Sequence, residues 1–355
     1  MNSNIAIYGA SGFVGRMLAH ELAGRGARLR LVGRDLGRLE ELEEELRARG
    51  FLDVRVRQAR LSEEVALRGA LRGCDALVNC AGPLGERTRK LVAAALGEGI
   101  HFFDMAGEQA QVHWMWDACH EEARARGVVL MPACALEYAL GDFAAEIALM
   151  KAASRIVVCY AVREMKLSQG ARKTFVHALG EGGVSFVDGK LERRRAAYRL
   201  FDVPFPRGHI RKGVWIPGAE AITVPLRGGV SRVESCVVTG EAMVRLLATL
   251  SGVLPSVLRA LRPVTDRLAE QSDADEMDEA LGEYLVIAFD PKTAEPYAML
   301  TGEDVYATSV RVAAECVSRV VGEGPIKAGF TSPAAVFDVK DFLNAVGVRR
   351  LPLES

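Results

Sequence analysis

The first third of the chain alternates between short apolar runs and stretches with helical spacing. An apolar run at 5–8 leads into Gly9, Gly12 and Gly15, and apolar residues at helical spacing follow over 17–22. This order predicts a strand, a tight turn and a helix. Gly9 would permit a sharp exit from the strand, Gly12 would leave the backbone open to a pyrophosphate, and Gly15 would let the helix pack closely on the sheet. Since the start of a helix attracts phosphate, the stretch indicates a dinucleotide site rather than an ordinary glycine-rich turn.

The same alternation continues to about residue 131. Apolar runs of strand length are separated by helical patterns, and the predicted strands after the first lie at 29–32, 54–56, 76–80, 101–103 and 128–131. A regular alternation of strands and helices is typical of a parallel sheet with helices on both faces. The sequence therefore predicts an α/β fold with a doubly wound parallel sheet, a Rossmann domain, over residues 1–133.

The end of the second predicted strand decides which dinucleotide is favoured. That strand ends in Gly33, Arg34 and Asp35, and Arg38 follows one helical turn later. An acidic side chain at this corner accepts a hydrogen bond from the ribose of NAD, whereas an arginine accommodates the 2′-phosphate of NADP. Asp35 also fits the N-cap of the next helix. We therefore expect NADPH as the cofactor, with Arg34 as its main discriminating residue.

A loop of small residues, Ala81, Gly82 and Pro83, follows the fourth predicted strand. The carboxyl end of a parallel strand is where a bound dinucleotide passes, so the loop is a second candidate for cofactor contact. The alternative interpretation is a tight turn without a binding role.

Candidates for catalysis come after the fifth and sixth predicted strands. Hydride transfer requires the protein to place the nicotinamide against the substrate, and a proton donor is usually needed beside it. Tyr138, Asp104 and Cys134 are the catalytic candidates, and Glu108 lies on the same predicted edge. Each has a structural alternative: Asp104 as a turn cap, Cys134 as a buried filler and Tyr138 as a wedge between domains. Water is a further possible proton source.

The remainder of the chain predicts a second, α+β domain over 134–325 with a mixed sheet. Asp188 and Gly189, between two strand-like runs, indicate a two-residue hairpin, and further strands are predicted over 214–226 and 233–238. A strongly apolar helix is predicted at 243–261, as a buried helix, a subunit interface or the wall of an apolar substrate site. A basic segment at 163–174 is either an anion receptor or a solvated face. The segment 326–355 is predicted to return to the Rossmann domain.

Composition narrows the classes of protein. The chain has 355 residues and 50% hydrophobic residues, and its 45 basic and 46 acidic side chains leave a net charge of −1. This balance argues against nucleic acid or an anionic membrane as the main partner. The apolar helix is interrupted by Arg245 and Pro255, which argues against a transmembrane segment, and no signal peptide is expected. The seven scattered cysteines contain no Cys-x-x-Cys pair, so we expect no metal site, no disulfide framework and a cytoplasmic location.

Several stretches together resemble the saccharopine dehydrogenase-like NADP-binding superfamily, which includes trans-acting enoyl reductases. The stretches that carry the resemblance are IYGASGFVGRMLAHEL, LVGR, VNCAGPLGERTRKLVAAALGEGIHFFDMAGE, MPACALEYALGD, WIPGAEAITVP and the closing segment from LTGEDVYATSVRVAAECV to GEGPIKAGFTSPAAVF. The resemblance implies a nicotinamide-binding N-terminal domain and a C-terminal domain for substrate binding and dimerisation. It also implies that the cofactor is lined by Gly9, Ser11, Gly12, Phe13, Val14, Gly15, Arg34, Ala81, Gly82 and Pro83.

These observations lead to one expected function and two alternatives. We expect an NADPH-dependent oxidoreductase that reduces a polarised C=C (enoyl) or C=N bond of a small biosynthetic intermediate, and a homodimer. One alternative is a saccharopine-type or opine-type amino-acid dehydrogenase, whose substrate would demand at least two carboxylate receptors. The other is a non-catalytic partner or redox sensor that binds NADP.

Overall fold

The structure, a computed structural model, describes residues 3–163, 180–240, 282–322 and 327–353, together with positions 249 and 252. These residues belong to two compact units. The first unit consists of Met1–Gly107, Gln111–Ala135 and Ser309–Val336, and the second of Glu108–Ala110, Leu136–Thr308 and Phe337–Ser355.

The strands divide between one sheet in each unit. In chain order they are β1 (Asn4–Tyr8), β2 (Arg28–Gly33), β3 (Val54–Gln58), β4 (Ala76–Asn79), β5 (His101–Asp104), β6 (Val129–Met131), β7 (Arg155–Val162), β8 (Gly183–Val187), β9 (Lys190–Arg194), β10 (Leu200–Pro204), β11 (Ile210–Ile216), β12 (Arg232–Val238), β13 (Tyr284–Phe289), β14 (Pro296–Gly302), β15 (Gly329–Phe330) and β16 (Arg349–Arg350).

The helices connect these strands. They are α1 (Phe13–Gly24), α2 (Leu36–Ala48), α3 (Glu64–Leu71), α4 (Thr88–Glu98), α5 (Gln109–Trp114), α6 (His120–Ala125), α7 (Leu136–Leu149), α8 (Glu220–Thr223), α9 (Val305–Gly322), α10 (Pro333–Val336) and α11 (Val339–Ala345). A π-helical turn at Met115–Cys119 joins α5 to α6.

The sheet of the first unit is parallel throughout and has the order β15-β6-β5-β4-β1-β2-β3. Its strands are rich in fully buried residues such as Ile5, Ile7, Phe102 and Phe103, as expected for a sheet covered on both faces. The strand order reverses at β1, which places the loops after β1 and β4 side by side at the carboxyl edge. This switch point is where ligands bind in open α/β sheets. The predicted doubly wound domain is confirmed.

The sheet of the second unit is mixed, as predicted. Its order is β10-β11-β12-β7-β13-β14-β16, and the β8–β9 hairpin pairs with β12. Among the described strands, β12 and β7 are parallel and the other neighbours are antiparallel. The hairpin turns at Asp188 and Gly189, whose φ angles of 48° and 82° match the two-residue turn predicted from this pair.

Two segments differ from the sequence-based prediction. The strand expected over 214–226 ends at Ile216, because Pro217 cannot donate to a strand ladder; the short helix α8 follows. The segment that joins the first unit is 309–336, whereas α11 and β16 lie in the second. There Phe342 stacks on Phe143 with ring centroids 4.7 Å apart, which buries the apolar face of α11. The helix predicted at 243–261 and the basic segment beyond Arg163 lie outside the described residues.

Candidate functional site

The turn between β1 and α1 has the backbone geometry that its three glycines predict. Gly9 adopts φ 80° and donates its N–H to Val32 O at 2.9 Å, and its carbonyl accepts the N–H of Gly12 at 3.0 Å. Gly12 stands at the N-cap position of α1 without a capping side chain, and no acidic residue lies in the first turn. Ser11, Phe13 and Val14 are partly exposed around it. The positive end of α1 is therefore open to an anion.

Close packing explains why two of these positions are glycine. A Cβ atom on Gly15 would overlap Gly9 O and lie 2.9 Å from Ala10 Cα, so α1 could not approach the turn as closely with any other residue. A Cβ atom on Gly9 would lie 2.9 Å from both N and Cβ of Ala81. The structure thus brings the glycine turn and the Ala81 loop into contact.

At the end of β2, the two charged residues have separate roles. The Asp35 carboxylate accepts the N–H of Arg38 at 3.3 Å and caps α2, so it is engaged in the local role that the sequence also allowed. Arg34 is exposed after Gly33, and its carbonyl accepts from Gln58 Nε2 at 2.9 Å. Arg38, in the first turn of α2, is exposed as well. Arg34 therefore remains available for a phosphate.

A further cation lies at the same edge and was missed by the sequence analysis. Burial raises the pKa of Tyr8 at the end of β1, while the charges of Arg34 and Arg87 act in the opposite direction. Arg87 belongs to a single 3₁₀ turn, Gly85–Arg87, just beyond the cis Gly82–Pro83 bond. Because Arg87 and Tyr8 lie far apart in the sequence, no local pattern signalled the effect of the Arg87 charge on Tyr8.

Asp104 connects the loops at the carboxyl edge through hydrogen bonds. Its side chain is 2% exposed, and Oδ1 accepts from Asn79 Nδ2 and from the N–H of Ala106, each at 2.9 Å. Asn79 Oδ1 in turn accepts the N–H of Ala81 at 3.1 Å. This buried network ties the end of β4 to the end of β5. The geometry therefore supports the capping alternative for Asp104.

Cys134 is fully buried behind the same edge. Its thiol donates to Asp104 O at 3.3 Å, and burial raises the pKa of the thiol well above its ordinary value. A neutral, enclosed thiol is a poor nucleophile. The arrangement therefore matches the interpretation of Cys134 as a packing residue.

Tyr138 belongs to the second unit and stands at a break in α7. Its φ and ψ of 73° and −48° are left-handed and outside the helical range. Burial, followed by the negative charges of Glu220, Glu137 and Glu108, raises the pKa of its phenol. Tyr138 is a partly exposed residue, and its phenol is neutral and can donate a proton or a hydrogen bond. Asp104 and Cys134 lie in the first unit, and Glu108 lies in the second.

A buried carboxyl group that supports Tyr138 was also missed. Glu220, at the start of α8, is fully buried and bonded to Tyr160 and Ser235. The sequence did hold a signal, because Glu220 is the single charged residue within the apolar stretch 214–226. A charge in such a run is rarely buried unless it is paired.

The described residues contain neither a cluster of metal-ligating side chains nor a helix long and apolar enough to cross a membrane. All seven cysteines are free.

Comparisons with known proteins agree with this geometry. Residues 5–131 match the family model described as the saccharopine dehydrogenase NADP-binding domain. A candidate trans-acting enoyl reductase of Mycobacterium tuberculosis is 30% identical over 141 residues, which cover 39% of this chain and 33% of the relative. A lipid droplet localized protein of Caenorhabditis elegans is 27% identical over 138 residues, covering 37% of this chain and 32% of the relative. The chain therefore spans about a third of the length of these curated relatives.

Among solved structures, the apo saccharopine dehydrogenase (L-Glu forming) of Saccharomyces cerevisiae superposes with a TM-score of 0.60. The match covers 99% of this chain and 100% of that one at 12% sequence identity, so it establishes a shared fold. The resemblance predicted from the sequence is confirmed.

Proposed function

We propose that this chain, whose residues 5–131 form a saccharopine dehydrogenase-type NADP-binding domain, is an NADPH-dependent reductase of a polarised C=C or C=N bond. The observation that carries the proposal is the open helix start at Gly12, which the glycine turn holds against the Ala81 loop. The family model that matches residues 5–131 is described as the NADP-binding domain of a dehydrogenase, which supports an enzymatic role.

The residues at the carboxyl edge fit NADPH. Gly12 leaves the space that a pyrophosphate needs, and the start of α1 supplies N–H groups and a partial positive charge. Arg34, with Asp35 engaged as a helix cap, would receive the 2′-phosphate, and Arg38 adds positive charge nearby. The loop Ala81, Gly82 and Pro83 would pass along the cofactor. When bound, NADPH supplies the hydride.

Tyr138 is our proposed proton donor. Reduction of a C=C or C=N bond by hydride leaves negative charge on a neighbouring atom, and a positioned acid speeds the reaction by protonating it. The Tyr138 phenol is neutral at physiological pH because burial and nearby carboxylates raise its pKa. The buried positions of Asp104 and Cys134 give them a supporting role in this proposal.

The substrate class follows from the relatives and from charge. The name of the mycobacterial relative supports an enoyl substrate, whereas the family model over residues 5–131, described as that of saccharopine dehydrogenase, supports the C=N alternative. An amino-acid substrate would need at least two carboxylate receptors on the protein. Activity that depends on charged groups of the substrate would therefore distinguish an amino-acid substrate from an enoyl substrate.

Compartment and assembly complete the proposal. The seven free cysteines suit a reducing compartment, which supports a cytoplasmic location. We also propose a homodimer formed through the second unit, since two-fold dimers are the commonest oligomers.

The proposal is tested by supplying NADPH with a panel of enoyl thioesters, cyclic imines and α-keto acid plus amine pairs. Oxidation of NADPH with one of them identifies the class. With that substrate, Tyr138→Phe should lower kcat by roughly 10²–10⁴-fold while NADPH still binds, which is the usual effect of losing a general acid. Tyr297→Phe is the matched control, because its hydroxyl bonds Asp290 at 3.2 Å in the same unit. A fall of less than about tenfold would assign the proton to water or a carboxylate.

A further inference from the structure

The interior of the second unit holds a carboxyl group with both oxygens engaged. Glu220 Oε2 accepts from Ser235 Oγ at 2.8 Å, and Oε1 accepts from the hydroxyl of Tyr160. Glu220 and Tyr160 are both buried. Burying a carboxyl group is costly unless it is hydrogen-bonded, and these two hydrogen bonds offset part of that cost.

Two glycines enclose the pair. A Cβ atom on Gly141 would overlap both Tyr160 Oη and Glu220 Oε1, and a Cβ atom on Gly218 would overlap Ser235 Oγ and Glu220 Oε2. The backbones of α7 and of the segment before α8 therefore close directly over the bonded atoms. This leaves no room for a substrate at Glu220, so the pair acts on its neighbours.

The neighbour that it reaches is Tyr138. The Tyr160 hydroxyl donates a hydrogen bond to Glu220 Oε1, and the same hydroxyl oxygen accepts the backbone N–H of Tyr138 at 2.9 Å. The two rings also meet edge to face, with centroids 6.3 Å apart. Glu220 thus orients the Tyr160 hydroxyl, and this hydroxyl accepts the backbone hydrogen bond that fixes residue 138.

The backbone conformation of residue 138 requires stabilisation by its surroundings. Its φ of 73° with ψ of −48° lies near the rare γ-turn conformation, which is strained for a residue with a side chain. Strain of this kind costs about 1–3 kcal/mol and persists only where the surrounding structure enforces it. Because the same backbone angles set the direction of the Tyr138 side chain, relaxing them would move the phenol.

We propose that Glu220 and Tyr160 are positioning residues that hold Tyr138 in its left-handed conformation and so direct its phenol. The importance of that direction for catalysis rests on the proposed function. The stabilisation of residue 138 by Glu220 and Tyr160 is a property of the second unit and can be measured without a substrate.

The ionisation of Glu220 provides a signal near neutral pH by which its effect on Tyr138 can be measured. Burial raises the pKa of Glu220 to about 7, against the stabilising hydrogen bonds from Tyr160, Ser235 and its own backbone N–H. The groups that face it are Tyr160 on β7, Ser235 and Cys236 on β12, and Tyr138 and Asp142 on α7, where Asp142 pairs with Arg227 at 2.9 Å. When Glu220 ionises, its negative charge disfavours ionisation of Tyr138 and changes the field at that ring.

The test is a ¹⁹F NMR titration of the full chain with 3-fluorotyrosine placed at position 138. In the otherwise unaltered protein, we expect the signal to move with a midpoint of about pH 7. Glu220→Gln keeps an oxygen that accepts from Tyr160, so the signal should remain sharp and lose this titration. Tyr160→Phe removes the bond to residue 138, so the signal should shift or broaden at every pH.

Tyr198→Phe is the matched control. The Tyr198 hydroxyl bonds Glu234 on β12, as the Tyr160 hydroxyl bonds Glu220. Removing the Tyr198 hydroxyl should leave the signal of residue 138 unchanged. If Tyr160→Phe fails to fold, Ser235→Ala serves instead: losing one bond to the carboxylate should raise the midpoint above that of the parent protein. A titration that persists in Glu220→Gln, or a signal that neither Tyr160→Phe nor Ser235→Ala alters, would overturn the proposal.

Kinetics separates this proposal from the proposed function. Tyr160→Phe should lower kcat by about 10–100-fold, since small misplacements of a catalytic group have effects of this order, while NADPH affinity stays within about twofold. Glu220→Gln should keep most of the activity and lose the pH dependence near neutrality. If Tyr138→Phe is fully active, the proposed proton donor is wrong, but the NMR result still decides whether the pair holds residue 138.

Discussion

Replacement of Arg34 by alanine is the sharpest test of cofactor choice. The structure leaves Arg34 exposed at the end of β2, while one oxygen of Asp35 is engaged in capping α2. The change removes one guanidinium and leaves the glycine turn untouched. We therefore expect the variant to lose affinity for NADPH and to bind NADH as before.

The size of the loss follows from the kind of contact. A hydrogen bond to a charged group is worth about 1.5–3 kcal/mol. Since every 1.4 kcal/mol is tenfold, this corresponds to roughly 10–150-fold weaker binding of NADPH. Arg38 and Arg87 lie at the same edge and retain part of the attraction, which places the expected loss toward the lower end.

Nicotinamide fluorescence, titrated with both cofactors at low and at moderate salt, measures this change. The matched control is Arg28→Ala, which removes one exposed arginine from the opposite end of β2. It should leave both affinities unaltered. An equal loss for NADPH and NADH, or the same loss in the control, would refute the assignment of Arg34 to the 2′-phosphate.

Three further predictions follow from packing, titration and assembly. Gly15→Ala should destabilise the first unit by about 3 kcal/mol or more in urea unfolding, because its Cβ would overlap Gly9 O; a change of less than about 1 kcal/mol would contradict the packing. Folding raises the pKa of Glu220 from 4.5 to about 7, so its contribution to stability is complete below pH 4.5 and is lost as the pH rises to 7. Relative to Glu220→Gln, the parent protein should lose roughly 3 kcal/mol of unfolding free energy over that interval, and parallel stability curves would contradict the raised pKa. Light scattering should return about twice the chain mass of 38.4 kDa, whereas the single-chain mass at all concentrations would exclude the homodimer.

The parts that the sequence predicted well are governed by local chemistry. The spacing of Gly9, Gly12 and Gly15 encodes a turn whose geometry depends on residues only a few positions apart. The same is true of the Asp188–Gly189 hairpin and of the Asp35 cap, where the competing roles of Asp35 and Arg34 could be stated in advance. Alternating strand and helix patterns then define the parallel sheet, because few other folds accommodate them.

The parts that the sequence did not reveal depend on long-range contacts. The charge of Arg87 acts on Tyr8, and Tyr160 is hydrogen-bonded both to Tyr138 and to Glu220, which is 60 positions away from it. No periodicity reports such pairings. Tyr138 was chosen for its chemistry, but its left-handed backbone was unforeseen, since tyrosine rarely adopts that conformation. The return of 309–336 to the first unit was likewise hidden, because α9 is apolar on much of its surface and could have packed in either unit.

A crystal structure of the full chain with NADPH bound would decide whether this protein is a reductase. We expect the pyrophosphate at the start of α1 over Gly12, the 2′-phosphate on Arg34, and the nicotinamide at the carboxyl edge of the first sheet with one face open to a substrate. A nicotinamide whose faces are both covered by protein side chains would contradict the reductase and favour a non-catalytic protein that binds NADP.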